Sequence, residues 1–95
     1  METAERPRLV FFYGEKSGHS RRVEGYLSQV LQRRRNHEVF RIHRVNVTEL
    51  PDLTERFRVE DVPTLVVVDG NKVRGRLVTP RGCREIEELL APWLR

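Results

Sequence analysis

The chain of 95 residues has a single cysteine, Cys83, and no apolar run close to the ~20 residues of a membrane-spanning helix. One cysteine cannot form a disulfide within the chain, so a disulfide framework is excluded. The first residues include acidic side chains and no small-residue cleavage site, which argues against a secretory signal. We therefore expect a protein of the reducing cytoplasm that does not enter a membrane.

Metal-ligand spacing is also missing, because the three histidines His19, His37 and His43 have no paired His or Cys nearby. We therefore predict neither a metal nor another cofactor. Aromatic residues make up only 7% of the chain and do not interleave with the basic residues. Stacking on single-stranded nucleic acid is therefore not expected.

Charge is plentiful but uneven. The net charge is +4, from 18 Lys and Arg against 14 Asp and Glu. Residues 1–48 carry ten basic and five acidic side chains, whereas residues 49–95 carry eight and nine. Most of the arginines fit solvated helix faces. The first half of the chain, with its excess of basic residues, is also a candidate surface for an acidic partner.

Apolar patterning divides the chain into four strands and three helices. A polar stretch ending in Pro7 precedes them, so residues 1–7 are expected to form a loose tail and residues 8–95 a single domain. Apolar runs predict strands at 8–13, 38–47, 64–68 and 72–78. Helical spacing predicts a helix of about 17 residues after Ser17, a short one beginning at Thr48 and a closing one over 83–94.

Two local signals refine these elements. Ser17 is a preferred N-cap residue, and an apolar stripe follows it at Val23, Leu27, Val30 and Leu31. The sequence Asp-Gly-Asn at 69–71 predicts a tight hairpin turn. The strand after it alternates, which places Val73, Gly75 and Leu77 on one face.

The resulting order, β-α-β-α-β-β-α, predicts an α/β fold. The first βαβ unit requires parallel strands and a right-handed crossover, whereas the final hairpin is antiparallel. Together they predict a four-stranded mixed sheet with helices on both faces.

The stretch from "VNV" at 45–47 through "VPT" at 62–64 to the hairpin resembles the thioredoxin family. The resemblance covers residues 8–94 and is closest to the shorter, glutaredoxin-sized core. It implies a thioredoxin-like fold. It also implies a cis peptide bond before Pro63, on a loop that faces the active-site loop of the family.

The departures from the family pattern decide the functional prediction. The family's Cys-x-x-Cys corresponds to Ser17-Gly18-His19-Ser20, its buried acidic residue to Phe11, and its tryptophan before the first cysteine to Lys16. Disulfide exchange needs a thiolate that attacks sulfur. We therefore do not expect a disulfide reductase of the Cys-x-x-Cys type.

The resemblance instead suggests a monomeric, redox-inactive module that binds a protein or peptide. Family members bind such ligands, or glutathione, at a helix N-terminus and at the backbone before the cis proline. The resemblance therefore implies eight binding residues in this chain, which are Tyr13, Ser17, Gly18, His19, Ser20, Val62, Pro63 and Thr64.

Two other interpretations stay open. Ser17 and Ser20 fit a helix N-cap and a further hydroxyl in the first turn, with no ligand. Alternatively, the protein is a thiol-dependent redox enzyme. It would then use glutathione, held by Ser17 or Tyr13, or Cys83, since a helix N-terminus lowers the pKa of a thiol.

Overall fold

Seven elements follow one another in the predicted order. A computed structural model describes residues 6–33 and 38–94. The elements are β1 Arg8–Tyr13, α1 Gly18–Gln32, β2 Arg41–Asn46, α2 Pro51–Arg56, β3 Thr64–Asp69, β4 Lys72–Val78 and α3 Cys83–Leu90. Residues 1–5 of the predicted tail lie outside the described residues, and the Pro7 carbonyl accepts a hydrogen bond from the Arg41 N–H at 2.9 Å.

The four strands form one mixed sheet in the order β2-β1-β3-β4. β1 pairs in parallel with β2, and β3 pairs antiparallel with both β1 and β4. The predicted mixed sheet is therefore confirmed. β2 and β4 are its edges, and β1 and β3 are its centre.

Helices cover both faces of the sheet, as predicted. Alternate residues of a strand point to opposite faces, so the side chains of β1 pack in two separate cores. Leu9 and Phe11 join the larger core under α1 and α3, whereas Val10 and Phe12 join the smaller core under α2. This two-sided burial explains why β1 and β3 are continuous apolar runs.

The N-cap of α1 is Ser17, as predicted, and the apolar stripe is buried. The helix has 15 residues and ends at Gln32, with Arg33 as its C-cap. Arg34 and Arg35, which follow the C-cap, lie outside the described residues.

Gly25 lies exposed in the interior of α1, and a Cβ added there would meet no atom within 4 Å. We expect Gly25→Ala to stabilise the protein by about 1 kcal/mol, because alanine loses less backbone entropy than glycine in a helix. Urea unfolding followed by circular dichroism measures this difference. A loss of stability would contradict the open environment of Gly25.

The second helix begins later than predicted. We expected it to start at Thr48, but its first residue is Pro51. The Asn46 side-chain oxygen accepts hydrogen bonds from the N–H groups of Thr48 at 2.9 Å and Glu49 at 3.4 Å, which holds a turn there. Proline at the first helical position also disfavours helical geometry in the residue before it.

Two other bounds differ from the prediction by three residues or more, whereas the ends of β2 and β3 each differ by one. β2 begins at Arg41 rather than at residue 38, because its partner β1 begins at Arg8, directly opposite Arg41. α3 ends at Leu90 rather than at residue 94, ahead of Pro92, which cannot continue a helix.

The predicted face of β4 is wrong for one residue. Val67 pairs with Gly75 but Val68 pairs with Val73, so a bulge lies between these pairs. The extra residue turns Val73 away from the face of Gly75 and Leu77. Val73 therefore lies on the α2 side of the sheet, where it is 51% exposed.

Candidate functional site

Three loops meet at the end of β1, and they carry most of the predicted binding residues. A Cβ built on Gly14 would lie 3.1 Å from Val62 Cγ2 and 3.5 Å from Ser17 Cβ, so these three residues are in close contact. The third loop follows β4, where the Thr79 N–H donates to the Pro63 carbonyl at 2.7 Å. The turn at 14–17, the segment 61–63 and residues 79–80 therefore lie side by side, and we call the surface between them the groove.

Both serine hydroxyls already accept hydrogen bonds from the backbone. Ser17 Oγ accepts from the Ser20 N–H at 3.0 Å, which makes Ser17 the N-cap of α1. Ser20 Oγ accepts from the Gly14 N–H at 3.1 Å, and Ser20 is only 3% exposed. Ser20 therefore holds the loop together and cannot contact a ligand directly, whereas Ser17 is half-buried at the groove.

The groove presents backbone groups that have no protein partner. Among the described residues, no hydrogen bond engages the N–H groups of Gly18 and His19, or the N–H and C=O of Val62. The N–H groups at a helix start have no partner within the helix and point outward. Gly18 is exposed and Val62 half-buried, so these groups lie at the protein surface.

Pro63 and Thr64 hold the loop from beneath. The Val62–Pro63 peptide bond is cis, and Pro63 is buried. Thr64 is 1% exposed, and its hydroxyl donates to the Asp61 carbonyl at 2.6 Å. Thr64, which we expected to bind a ligand, is therefore placed in the core as a support for residues 61–63.

Tyr13 is the last residue of β1, directly before the turn at 14–17. Its half-buried ring packs against the core under α1 and α3, with its centroid 5.8 Å from that of Phe11. Phe11 is fully buried and supplies core volume where the resemblance implies an acidic residue. The end of β1 is therefore apolar beneath the groove.

His19 connects two of the three loops. Its Nε2 lies 2.7 Å from the Pro80 carbonyl oxygen, a distance at which the ring N–H donates to that oxygen. The residue before Pro80, Thr79, has a φ of 45°, which is unusual for a β-branched side chain. This contact closes the groove on the side of β4.

Sequence reasoning missed Thr79 and Pro80 as neighbours of the site. The hairpin register contains the signal that would have found them. Because Thr64 pairs with Val78, Pro63 lies opposite Thr79. No sequence pattern indicates the contact from His19 to Pro80, which spans 61 positions of the chain.

Cys83 lies away from this groove. Its half-buried Sγ is 3.3 Å from Gln29 Oε1 and 3.7 Å from the Tyr26 carbonyl oxygen, on the middle of α1. Tyr26 follows Ser17 by nine positions, which corresponds to about 13 Å along a helix. The structure therefore does not bring the thiol together with the serine pair.

Metal binding has no candidate residues in the part of the chain that the structure describes. Residues 6–33 and 38–94 contain no group of three or more His, Cys, Asp or Glu side chains that could hold an ion. Within the same residues, no helix is long and apolar enough to span a bilayer.

The sequence model of the thioredoxin family matches residues 1–92. The chain belongs to the thioredoxin family. No curated protein matches it at a significant level. At the position of the family's Cys-x-x-Cys this member has Ser17-Gly18-His19-Ser20, so the two sulfur atoms of the family's redox site are missing.

Solved structures of thioredoxins share the fold. The germline-specific thioredoxin Deadhead of Drosophila melanogaster superposes with a TM-score of 0.81 at 18% identity, over 94% of this chain and 82% of that one. Trxlp of Edwardsiella tarda gives 0.81 at 20% identity, over 90% and 82%. A mutant thioredoxin of Halobacterium salinarum gives 0.80 at 18% identity, over 96% and 77%.

Proposed function

We propose that this thioredoxin-family domain is redox-inactive and binds an extended peptide segment of a partner protein. The binding site is the groove between residues 17–20 and Pro63. The observation that carries the proposal is the pair of free backbone groups on Val62 beside the free N–H groups of Gly18 and His19. A peptide needs such groups in order to pair with a protein backbone.

The absence of thiol chemistry at the groove follows from the side chains there. A mixed disulfide requires a thiolate as the attacking group. The two positions that correspond to the family's cysteines are Ser17 and Ser20, which have no thiol. The Ser20 hydroxyl is buried and accepts a hydrogen bond from the backbone. Cys83 packs on the middle of α1 instead of reaching the groove.

Peptide binding follows from the geometry of Val62. A peptide strand laid beside Val62 accepts a hydrogen bond from its N–H and donates one to its C=O, as a strand added to a sheet does. The N-terminus of α1 carries a partial positive charge, which favours a carbonyl or carboxylate of the peptide near Gly18 and His19. Both interactions use the backbone, so neither requires a cysteine.

Two glycines of α1 give a matched test of this groove. A Cβ on Gly25 would meet no atom within 4 Å, and one on Gly18 would meet only the guanidinium end of Arg22, at 3.9 Å. Only Gly18 borders the groove. Peptides selected from a random display library on the wild-type domain serve as probes. We expect Gly18→Trp to weaken their binding about tenfold or more, which corresponds to about 1.4 kcal/mol, by filling the groove. Gly25→Trp should bind them as the wild type does.

Fluorescence anisotropy of labelled peptides measures this effect, and circular dichroism checks that both variants are folded. Equal affinity of the wild type and Gly18→Trp would show that the peptides bind elsewhere. Selection that yields no peptide above background would also contradict the proposed function.

The alternative function, a glutathione-using enzyme, has one supporting observation. Ser17 Oγ accepts from the Ser20 N–H, which leaves the hydroxyl proton of Ser17 free to donate to a thiolate. Glutathione at a hundred times its dissociation constant would stabilise the fold by about 2.7 kcal/mol. We expect millimolar glutathione to leave the melting temperature unchanged. An increase that Ser17→Ala abolishes would favour the enzyme over the peptide-binding module.

A further inference from the structure

The two faces of the sheet are covered to different extents. α1 and α3, with 15 and 8 residues, cover one face, whereas α2 on the other face has only 6. Beside α2 lies a groove of about 720 Å³, which we call the α2 groove. It is distinct from the peptide groove at residues 17–20, none of which lines it.

The floor of the α2 groove is apolar. Val10 and Val68 of the sheet form it, together with Leu53 of α2 and Phe57, the C-cap of that helix. Leu50, which also lines the groove, is 46% exposed. The volume lies within the range of about 300–1,000 Å³ that is usual for binding sites.

The rim of the α2 groove is cationic. Arg8 and Arg56 line it, and no Asp or Glu does. Among the described residues, no carboxylate forms an ion pair with Arg8 or Arg56. Arg44 also lines the groove, but Glu24 on α1 pairs with it at 2.7 Å. Glu49 and Asp52 line the adjoining pocket on the far side of Leu50 and Arg56, but neither pairs directly with a guanidinium group of the rim.

We propose that the α2 groove is a docking site for an acidic, amphipathic helix of a partner protein. A helix of this kind lays apolar side chains into such a groove and keeps its polar face outward. Its carboxylates would lie against the Arg8 and Arg56 guanidinium groups, which favour carboxylates as partners. The neighbouring strand β2 is a sheet edge, so the groove is open on that side.

Two other occupants fit the same surface less well. A second copy of this chain carries the same net charge of +4, which opposes association of two copies through a cationic rim. Nucleic acid would match the charge, but interfaces with nucleic acid are strongly polar, and the floor here consists of valine, leucine and phenylalanine.

A designed peptide pair tests the docking proposal. The probe is a peptide of about 14 residues with leucine at helical spacing and glutamate elsewhere, long enough for about four turns. Its control has lysine in place of every glutamate. At ~0.15 M salt, where long-range attraction is screened, we expect the acidic peptide to bind the full chain, and the basic peptide to bind at least about tenfold more weakly.

Charge reversals locate the binding surface. Arg56→Glu should weaken binding of the acidic peptide about tenfold or more, and Leu50→Asp should do the same through the apolar part of the site. The matched control is Arg84→Glu on α3, whose side chain is 91% exposed on the other side of the sheet. That control should change the affinity less than about twofold, and circular dichroism confirms the fold of each variant.

Three results of the binding and sedimentation experiments would overturn the proposal. The first is that Arg84→Glu loses as much affinity for the acidic peptide as Arg56→Glu does, which would mean general charge attraction. The second is displacement of the peptide by a DNA oligonucleotide without any effect of Leu50→Asp. The third is self-association of the free protein in sedimentation that Arg56→Glu abolishes. NMR shift changes at 42–57 would support the α2 groove, whereas changes confined to 17–20 and 62–64 would place the peptide in the other groove.

Discussion

The Ser17→Cys, Ser20→Cys double variant should reduce insulin with dithiothreitol as donor at about tenfold or more the rate of the wild type. Ser17 is the N-cap of α1, where the partial charge of the helix lowers the pKa of a thiol and raises the thiolate fraction. A thiolate at 17 attacks a substrate disulfide and forms a mixed disulfide. The thiol at 20 then attacks that bond, which releases the reduced substrate.

The double variant should stay folded, although it loses two good hydrogen bonds. Ser17 Oγ and Ser20 Oγ each accept one bond from the backbone, at 3.0 and 3.1 Å. Sulfur accepts hydrogen bonds weakly, so each replacement costs about 1 kcal/mol. Domains of this kind have a total stability of about 5–15 kcal/mol, so the fold should tolerate the loss.

The controls separate the serine positions from Cys83. Ser17→Cys alone has no second thiol to release the substrate, so after reduction and removal of dithiothreitol it should hold the substrate as a mixed disulfide. If wild type reduces insulin and Cys83→Ser abolishes that activity, the thiol on α3 is the redox group and the proposed inactivity is wrong. A folded double variant without activity would mean that the groove lacks a further requirement of disulfide exchange besides the two thiols.

Much of the fold could be predicted from local patterns. β1 and β3 are apolar on both faces, so their runs are continuous and their limits clear. The turn at 69–71 has glycine at its centre, and Gly70 has a φ of 67° that other residues rarely adopt. The face of Val73 could not be predicted in this way, because it depends on a bulge in the pairing with β3.

The candidate site could be predicted only in part. The N-cap role of Ser17 depends on residues three positions apart, so the sequence contains it. Ser20 accepts from Gly14, and His19 contacts Pro80, and both contacts depend on how separate loops pack. The family resemblance implies Thr64 as a binding residue, but its burial beneath the groove depends on this chain's own core.

Phe11→Ala should cost about 3–5 kcal/mol of the free energy of unfolding. Phe11 is fully buried at the centre of the larger core, and its ring contacts Tyr13 at a centroid distance of 5.8 Å. Removing the ring leaves a cavity that the two central strands cannot fill. Urea unfolding measures the loss, which is large enough to unfold a substantial part of a marginally stable population.

Phe11→Leu is the matched control, because it keeps most of the apolar volume and should cost less than about 1.5 kcal/mol. Phe11→Asp should be worse than Phe11→Ala, because it adds an unpaired buried carboxylate to the cavity. If Phe11→Asp were as stable as Phe11→Leu, the core would still accept the acidic residue that the family has there. The predicted order instead means that the core around Phe11 excludes a carboxylate. Because the resemblance implies a proton-transferring acid at this position, we expect restoring the two cysteines alone to give slower exchange than a site that also has the acid.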